Sequence, residues 1–411
     1  MSTVLLSEEN SLPKNAFQTK CDNFSKQCAV LLGFVIPVST TATHVVLFFL
    51  LINWFLAGNF SEKIKISIAH PVSKAALILF GVFVTGTFYS AAPLDDKIFI
   101  LGKMGKLLYL PFLLPLFMEE KWRRSGMAAF VGAMLLTLIL SMLKLYANLP
   151  ISTRFTEACV FKDHIYTNFM MAFAGFVVGH YGLQSKNGWE RFALSCLLSG
   201  FVFYVFFMSK GRTGYIIFAL LWLLFFLQRI SFKGIILGTI GLILLVGLAF
   251  KLSYPLQEGF GLVINNIEQY QAGDSNTSVG ARLEFFTQTW DLAKQHPWFG
   301  YGTGSFRSVY ETHATANQLL LTDNPHNEYL NIFFQLGLFG FAAFIGFFIL
   351  LGKLSFRLPK PEQWIAQGAL GAMILGCLAN SWLLDFTSGY FFVIIIAFSF
   401  GALKRKEGSF V

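Results

Sequence analysis

The chain has 411 residues, 55% of them hydrophobic, 17% aromatic and only 13% charged, with a formal net charge of +9. Such a composition excludes an ordinary soluble domain, and recurring apolar runs of roughly 17 to 25 residues define an all-α polytopic membrane protein. The positive charge therefore reports how basic residues sit around a bilayer and gives no ground for nucleic-acid binding. The cysteines Cys21, Cys28, Cys159, Cys196 and Cys377 show neither disulfide nor metal-ligand spacing.

Residues 1–26 are polar and mildly basic, with no small-residue cleavage site after the first apolar stretch, and read as a cytoplasmic N-terminal tail. Residues 28–57 are apolar but interrupted by Pro37-Val38-Ser39-Thr40-Thr41, which permits one kinked helix or a hairpin of two. Clearer spans follow at about 74–91, 98–118, 126–146, 164–183, 190–208, 213–228, 233–250, 328–352, 364–383 and 386–403. Basic residues recur in alternate connections: Lys63 and Lys65; Lys121, Arg123 and Arg124; Lys186 and Arg191; Arg229 and Lys233; Lys353, Arg357 and Lys360. The positive-inside rule places those connections, and the basic tail 404–411, in the cytoplasm. Both termini inside require an even number of crossings. The expectation is about twelve transmembrane helices, nine over residues 27–251 and three over 328–403.

Between them, residues 252–327 form the one sizeable outer connection. It reads as a helical periplasmic cap, with a segment near 255–270 and an amphipathic helix from about Val279 to Gln295 that His296-Pro297 ends. Several cations lie on this outer side. Lys210 and Arg212, in Ser209-Lys210-Gly211-Arg212-Thr213-Gly214, precede a span, and Arg282 stands in the first turn of the loop helix. Helix starts are already electropositive, so cations there are misplaced unless an anion joins them. Two guanidinium forks suit a phosphate or diphosphate, although pairing with loop carboxylates or lipid headgroups is the simpler alternative. Lys103 and Lys106 lie one turn apart in the outer half of a span, as ligand contacts or as snorkelling side chains.

Asn324-Pro325-His326-Asn327 reads as a helix start, with Asn324 as N-cap and Pro325 at the first helical position. His326 then sits in the first turn, where the dipole favours the neutral imidazole that a general base needs. Gly337 and Gly340 offer a small-residue face to a neighbouring helix. Asp385, in the short outer turn between the last two spans, is either a partner for the histidine or a simple turn charge. Gly300-Tyr301-Gly302-Thr303-Gly304-Ser305 follows no strand and opens no βαβ unit, so it reads as a packing turn or a sugar cradle and not as a nucleotide loop. Asp95-Asp96 is the only adjacent outer carboxylate pair and lacks a D-x-D pattern, so no metal or other cofactor is expected.

His326-Asn327, nine residues, then Gly337-x-x-Gly340 resembles the signature of bacterial O-antigen ligases, in the superfamily shared with O-antigen polymerases. The 209–214 turn, the Gly280-Ala281-Arg282 helix start and the Pro297 to Phe306 turn are similar in kind and order, so the resemblance covers roughly residues 200–345. It implies a metal-independent, inverting glycosyltransferase of the GT-C type in the bacterial inner membrane. Such an enzyme takes a glycan from undecaprenyl diphosphate on the periplasmic face and transfers it to lipid A–core. On that reading Arg212 and Arg282 hold the diphosphate and His326 takes the acceptor's proton; Lys210, Asn327, Lys103, Lys106 and Asp385 are, by position and charge, the candidate substrate contacts. The implied partners are the lipid-linked donor, the lipid A–core acceptor and membrane lipids, around a monomeric protein. A polymerase of the same superfamily and a flippase are the alternatives. Transporters usually gather charge near the midplane, whereas here it collects at one face.

Overall fold

The computed structural model describes residues 15–152, 158–230, 232–272, 274–406 and 409–410. Residues 1–14 of the expected tail, Gly273 of the loop turn and part of the 404–411 tail lie outside them. The first helix begins inside the stretch read as tail. Asn15 and Gln18 form a reciprocal capping box that starts α1 (Ala16–Val38), a local signal that outweighs the polarity of the segment. Ser39 is extended, ends α1 and caps α2 (Thr40–Leu56) through the Ala42 amide, so the interrupted first stretch is a hairpin of two packed helices.

There follow α3 (Phe60–Ala69), α4 (Pro71–Tyr89) and α5 (Leu94–Met104). A broken path of 3₁₀ turns and α6 (Leu110–Leu113) carries α5 on to Phe117, with Pro111 and Pro115 interrupting its hydrogen-bond ladder. Next come α7 (Glu120–Tyr146), α8 (His164–Gly182), α9 (Gly188–Phe203) extended by a π turn to Met208, α10 (Arg212–Ile230) and α11 (Phe232–Leu252). The long connection holds α12 (Tyr254–Gln271), α13 (Gly280–Ala293) and an unexpected third helix, α14 (Ser305–Asn317). α15 (Glu328–Ser355), α16 (Glu362–Ala379) and α17 (Phe386–Phe400) close the bundle. Among the described residues the only other regular element is a two-residue antiparallel pairing of Arg405–Lys406 with Ser409–Phe410.

Among the described residues seven helices are long and apolar enough to cross a membrane: α4, α5 through Phe117, α7, α9 through Met208, α10, α11 and α15. α2 and α17 are as apolar but shorter. α17 and α8 form the interior, with every residue of α17 beyond Phe386 buried. Lipid tails are as apolar as leucine, so close packing must hold such a bundle together. Phe391 accordingly meets Phe169 edge-on at 4.8 Å and Phe173 at 5.1 Å, while Trp382 packs on Phe169 at 4.5 Å. α11 is the opposite case, burying only Gly234, Gly238 and Ala249.

Gly337 does not present a smooth small-residue face. Its φ of 59° and ψ of −160° break α15, which frees backbone groups on either side. The segment after Pro297 fills the break. Tyr301 and Gly302 donate their N–H groups to the carbonyls of Phe334 and Gln335, and Leu338 and Phe339 donate to Pro297 and Trp298. A Cβ on Gly337 would lie 2.3 Å from the Trp298 carbonyl carbon. The glycine-rich 300–304 stretch is therefore a packing turn that joins the long connection to α15.

Candidate active site

α15 begins three residues later than its sequence suggests. Asn327 is the N-cap, accepting from the Leu330 amide, and Glu328 opens the first turn, where a carboxylate suits the dipole. Asn324 caps a local turn instead, accepting from His326 N at 3.0 Å and from the Ser381 hydroxyl at 2.7 Å. His326 consequently lies outside the helix, with φ of 55°. The left-handed conformation costs a non-glycine residue about 1–2 kcal/mol, and strain of this kind clusters at functional sites.

His326 Nδ1 is 3.0 Å from Asn380 Oδ1. The same oxygen accepts from Ser381 N at 2.9 Å, and Asn380 Nδ2 donates to Asp385 Oδ2 at 3.2 Å, so the amide orientation is fixed from both ends. Nδ1 must then donate to this oxygen, so in the neutral ring the lone pair would lie on Nε2. Tyr166 of α8 donates its hydroxyl to the same Asp385 oxygen. Burial raises the Asp385 carboxyl above the usual range, opposed by the Tyr166 hydrogen bond and by the charges of Lys103, Lys106 and His326. The histidine and Asp385 are thus joined, through an asparagine that the sequence reading missed.

The turn carrying Asp385 is clamped from two sides. Glu328, fully buried, accepts from Leu383 N and Leu384 N at 2.9 and 3.1 Å. Lys106, 2% exposed, donates to the carbonyls of Leu383, Leu384 and Asp385 at 2.9, 2.9 and 2.5 Å. An ammonium group has three protons, and here all three are taken. Lys106 is therefore committed to the backbone, against the expectation of a substrate contact. Asn327 is similarly occupied, its amide donating to Leu378 O while its oxygen caps α15. Lys103 lies over Phe99, with Nζ 4.3 Å from the ring centre, and within the electrostatic reach of Asp385.

The arginines lie on the adjoining side. In the 209–214 turn Asn168 of α8 donates to Gly211 O at 2.8 Å, and a Cβ on Gly211 would meet His164 O at 2.5 Å. Close approach to α8 thus demands glycine there and aims Arg212 at the long connection. Arg212 Nη2 donates to Ser278 Oγ at 3.1 Å, while its buried Nη1 has no hydrogen-bond partner among the described residues. Burial first, and then the field of Arg212, lower the pKa of Arg282. Among the described residues neither guanidinium has a carboxylate partner. Lys210 does, meeting Glu258 of α12 at 2.7 Å. One turn beyond Arg282, Phe285 of α13 stacks on His326 with ring centres 6.0 Å apart. One loop helix therefore brings the cationic pair and the imidazole together.

The structure joins His326, Arg212, Arg282 and Asp385 into one neighbourhood and adds Asn380, Tyr166, Glu328 and Phe285. Glu328 carried a readable signal, an ionisable residue entering an apolar run. Asn380 carried a weaker one, a polar residue just before the end of an expected span, and Tyr166 carried none.

A helical membrane protein with an oriented imidazole beside two guanidiniums that lack carboxylate partners among the described residues has the groups to hold an anionic substrate. The O-antigen ligase family model matches residues 194–345, from α9 to the middle of α15 and including both arginines and the histidine. Over those residues the chain is similar to O-antigen ligases, which supports a place in the O-antigen ligase/polymerase superfamily. An uncharacterised protein of Haemophilus influenzae is 24% identical over 147 residues, covering 34% of this chain and 37% of that protein. The matched stretch thus spans little more than a third of that relative's length.

Proposed function

We propose that the protein is an O-antigen ligase, a metal-independent, inverting GT-C-type glycosyltransferase. In this reading twelve helices cross the bacterial inner membrane, the cap of α12–α14 faces the periplasm, and a monomer carries the whole site. The donor is a glycan on undecaprenyl diphosphate and the acceptor is a sugar of lipid A–core.

The acceptor hydroxyl oxygen attacks the anomeric carbon from the face opposite the diphosphate, so configuration inverts as the carbon–oxygen bond to phosphate breaks. His326 Nε2 takes the hydroxyl proton. Nδ1–H, held by Asn380, shares the positive charge that arises, and Asp385 stabilises it through the same amide. Arg212 and Arg282 offset the charge developing on the departing diphosphate, a role that rewards fixed cations in a dry site. The observation that carries the reading is the shared placement on α13 of Arg282 and of Phe285, the ring stacked on His326.

Lipopolysaccharide from a deletion strain tests the proposal. Core-only lipopolysaccharide with lipid-linked polymer retained is the expected result. Core bearing one repeat would assign the protein as a polymerase, and lipid-linked units accumulating in the cytoplasm would assign a flippase. Transfer by the purified protein should also survive EDTA.

A further inference from the structure

A cavity of about 250 Å³ lies between the start of α5, the turn at Gly304 and the first turns of α15. Its charged lining is mostly acidic, with Asp95, Asp96 and Asp323 against Arg307 alone. Asp96 and Arg307 are 3.9 Å apart, and the arginine is 65% exposed, so screening leaves that pair weak. Asn331 also lines the cavity and is only 3% exposed. Its oxygen accepts from Gln335 Nε2 at 2.8 Å, and Gln335 Oε1 accepts from Gly304 N at 2.7 Å. Asn331 thus presents at the cavity wall an amide whose oxygen is already engaged within the fold. Phe99 and Ile100 supply apolar surface beside these polar groups.

We propose that this cavity binds one unphosphorylated pyranose of the acceptor glycan, as a neutral or amino sugar. The proposal rests on the glycosyltransferase reading above. Carboxylates accept hydrogen bonds from sugar hydroxyls or an ammonium group, the Asn331 amide donates to a ring or hydroxyl oxygen, and Phe99 covers an apolar ring face. The volume corresponds to about eight waters, on the scale of a single sugar ring. Its charge is opposite to that around Arg212 and Arg282, so the cavity repels the donor's diphosphate while that side attracts it. The lining also adjoins the histidine network along the chain. Asp323 lies three residues before His326, Asn331 follows the α15 N-cap by one turn, and Leu384 precedes Asp385. A cation is the poorer occupant, because the described residues contain no group of three His, Cys, Asp or Glu arranged to hold one.

The full-length protein in lipid nanodiscs is titrated with methyl α-glucopyranoside, methyl glucosaminide and glucose 6-phosphate, with binding read by saturation-transfer NMR. The first two should bind, and the phosphate should bind at least ten-fold more weakly than the glucoside. Asp96→Asn with Asp323→Asn should weaken glycoside binding ten-fold or more, whereas Asp291→Asn, exposed near the end of α13, paired with Lys294 and outside the cavity lining, should not. In transfer assays the double variant should raise the acceptor KM ten-fold with kcat and donor KM within two-fold. If the double variant is not monodisperse, Asp323→Asn alone is read, with a three-fold loss expected. Unchanged glycoside binding in the variants, preference for the phosphate, or calcium excluding the glycosides would overturn the proposal. So would lost glycoside binding with an unchanged acceptor KM. Failure of the glycosyltransferase reading appears separately, as wild-type protein that binds sugars but transfers nothing.

Discussion

Asn380→Ala tests whether the network acts through the imidazole. The substitution removes the acceptor 3.0 Å from His326 Nδ1 and the donor 3.2 Å from Asp385. While His326 is neutral, its bond to Asn380 belongs to the ordinary class, worth about 1 kcal/mol. Once Nε2 takes the acceptor's proton, the same bond is charge-assisted and worth about 1.5–3 kcal/mol. The transition state therefore loses about 0.5–2 kcal/mol more than the ground state, on the order of a 2- to 30-fold fall in kcat. His326→Ala removes the base itself and should cost about 10²–10⁴-fold. The assay is transfer by purified protein, with donor affinity measured in parallel. Donor affinity should stay within two-fold for both variants, and Asn380→Ala should add nothing in a His326→Ala background, because groups acting as a unit are not additive. A further loss of equal size in that background would make Asn380 a structural residue and refute the relay.

Arg212→Lys and Arg282→Lys keep the charge but lose the fork, so each should cost about 1.5–3 kcal/mol of transition-state stabilisation, roughly 10- to 100-fold in rate. Wild-type turnover in both would remove the diphosphate role. A cysteine replacing Thr315, exposed on α14, should react with a membrane-impermeant thiol reagent in spheroplasts, while one replacing Arg357 beyond α15 should not; the reverse pattern would invert the topology. The raised Asp385 pKa means that the buried charge opposes folding above that pKa. Asp385→Asn should accordingly melt higher than wild type at pH 7–8, lose that advantage as pH falls through the Asp385 pKa, and match wild type below the ordinary carboxylate range; a lower melt at pH 8 would contradict the direction. Gly337→Ala combines a positive φ with a contact at 2.3 Å and should destabilise by about 3 kcal/mol or more in thermal unfolding, so an unchanged melt would argue against the broken α15.

Helix positions were legible because apolar runs of membrane length survive any detail of packing. Each expected span from residue 74 onward has a helix at its place, displaced by a few residues at the ends. Ends follow local hydrogen bonding, which composition hides. The Asn15–Gln18 capping box began α1 within a polar segment, and an Asn324 turn postponed α15 to Glu328. Gly337 was legible as a special position and misread in kind, because a glycine that admits a neighbouring helix and one that breaks its own look alike in sequence. Only the incoming Pro297–Gly302 backbone distinguishes them.

The cations divide by the same logic. Arg212 was singled out as a cation at an electropositive helix start and Lys106 as an ionisable residue in the outer half of a span. Their surroundings differ. Lys106 meets three carbonyls of the 383–385 turn, a demand created by a segment nearly 280 residues away and invisible to any local pattern. Arg212 retains a buried Nη1 without a hydrogen-bond partner among the described residues and lies near a second guanidinium whose charge burial already disfavours. An ion whose bonds are complete stabilises a fold, whereas one left incomplete in a buried place carries a cost that folding alone does not offset. By that criterion Lys106 builds the platform, whereas Glu328, one of whose buried oxygens has no hydrogen-bond partner among the described residues, and Arg212 are left incomplete; on the proposed function Asn380 and Asp385 orient the base and the arginines hold an anion.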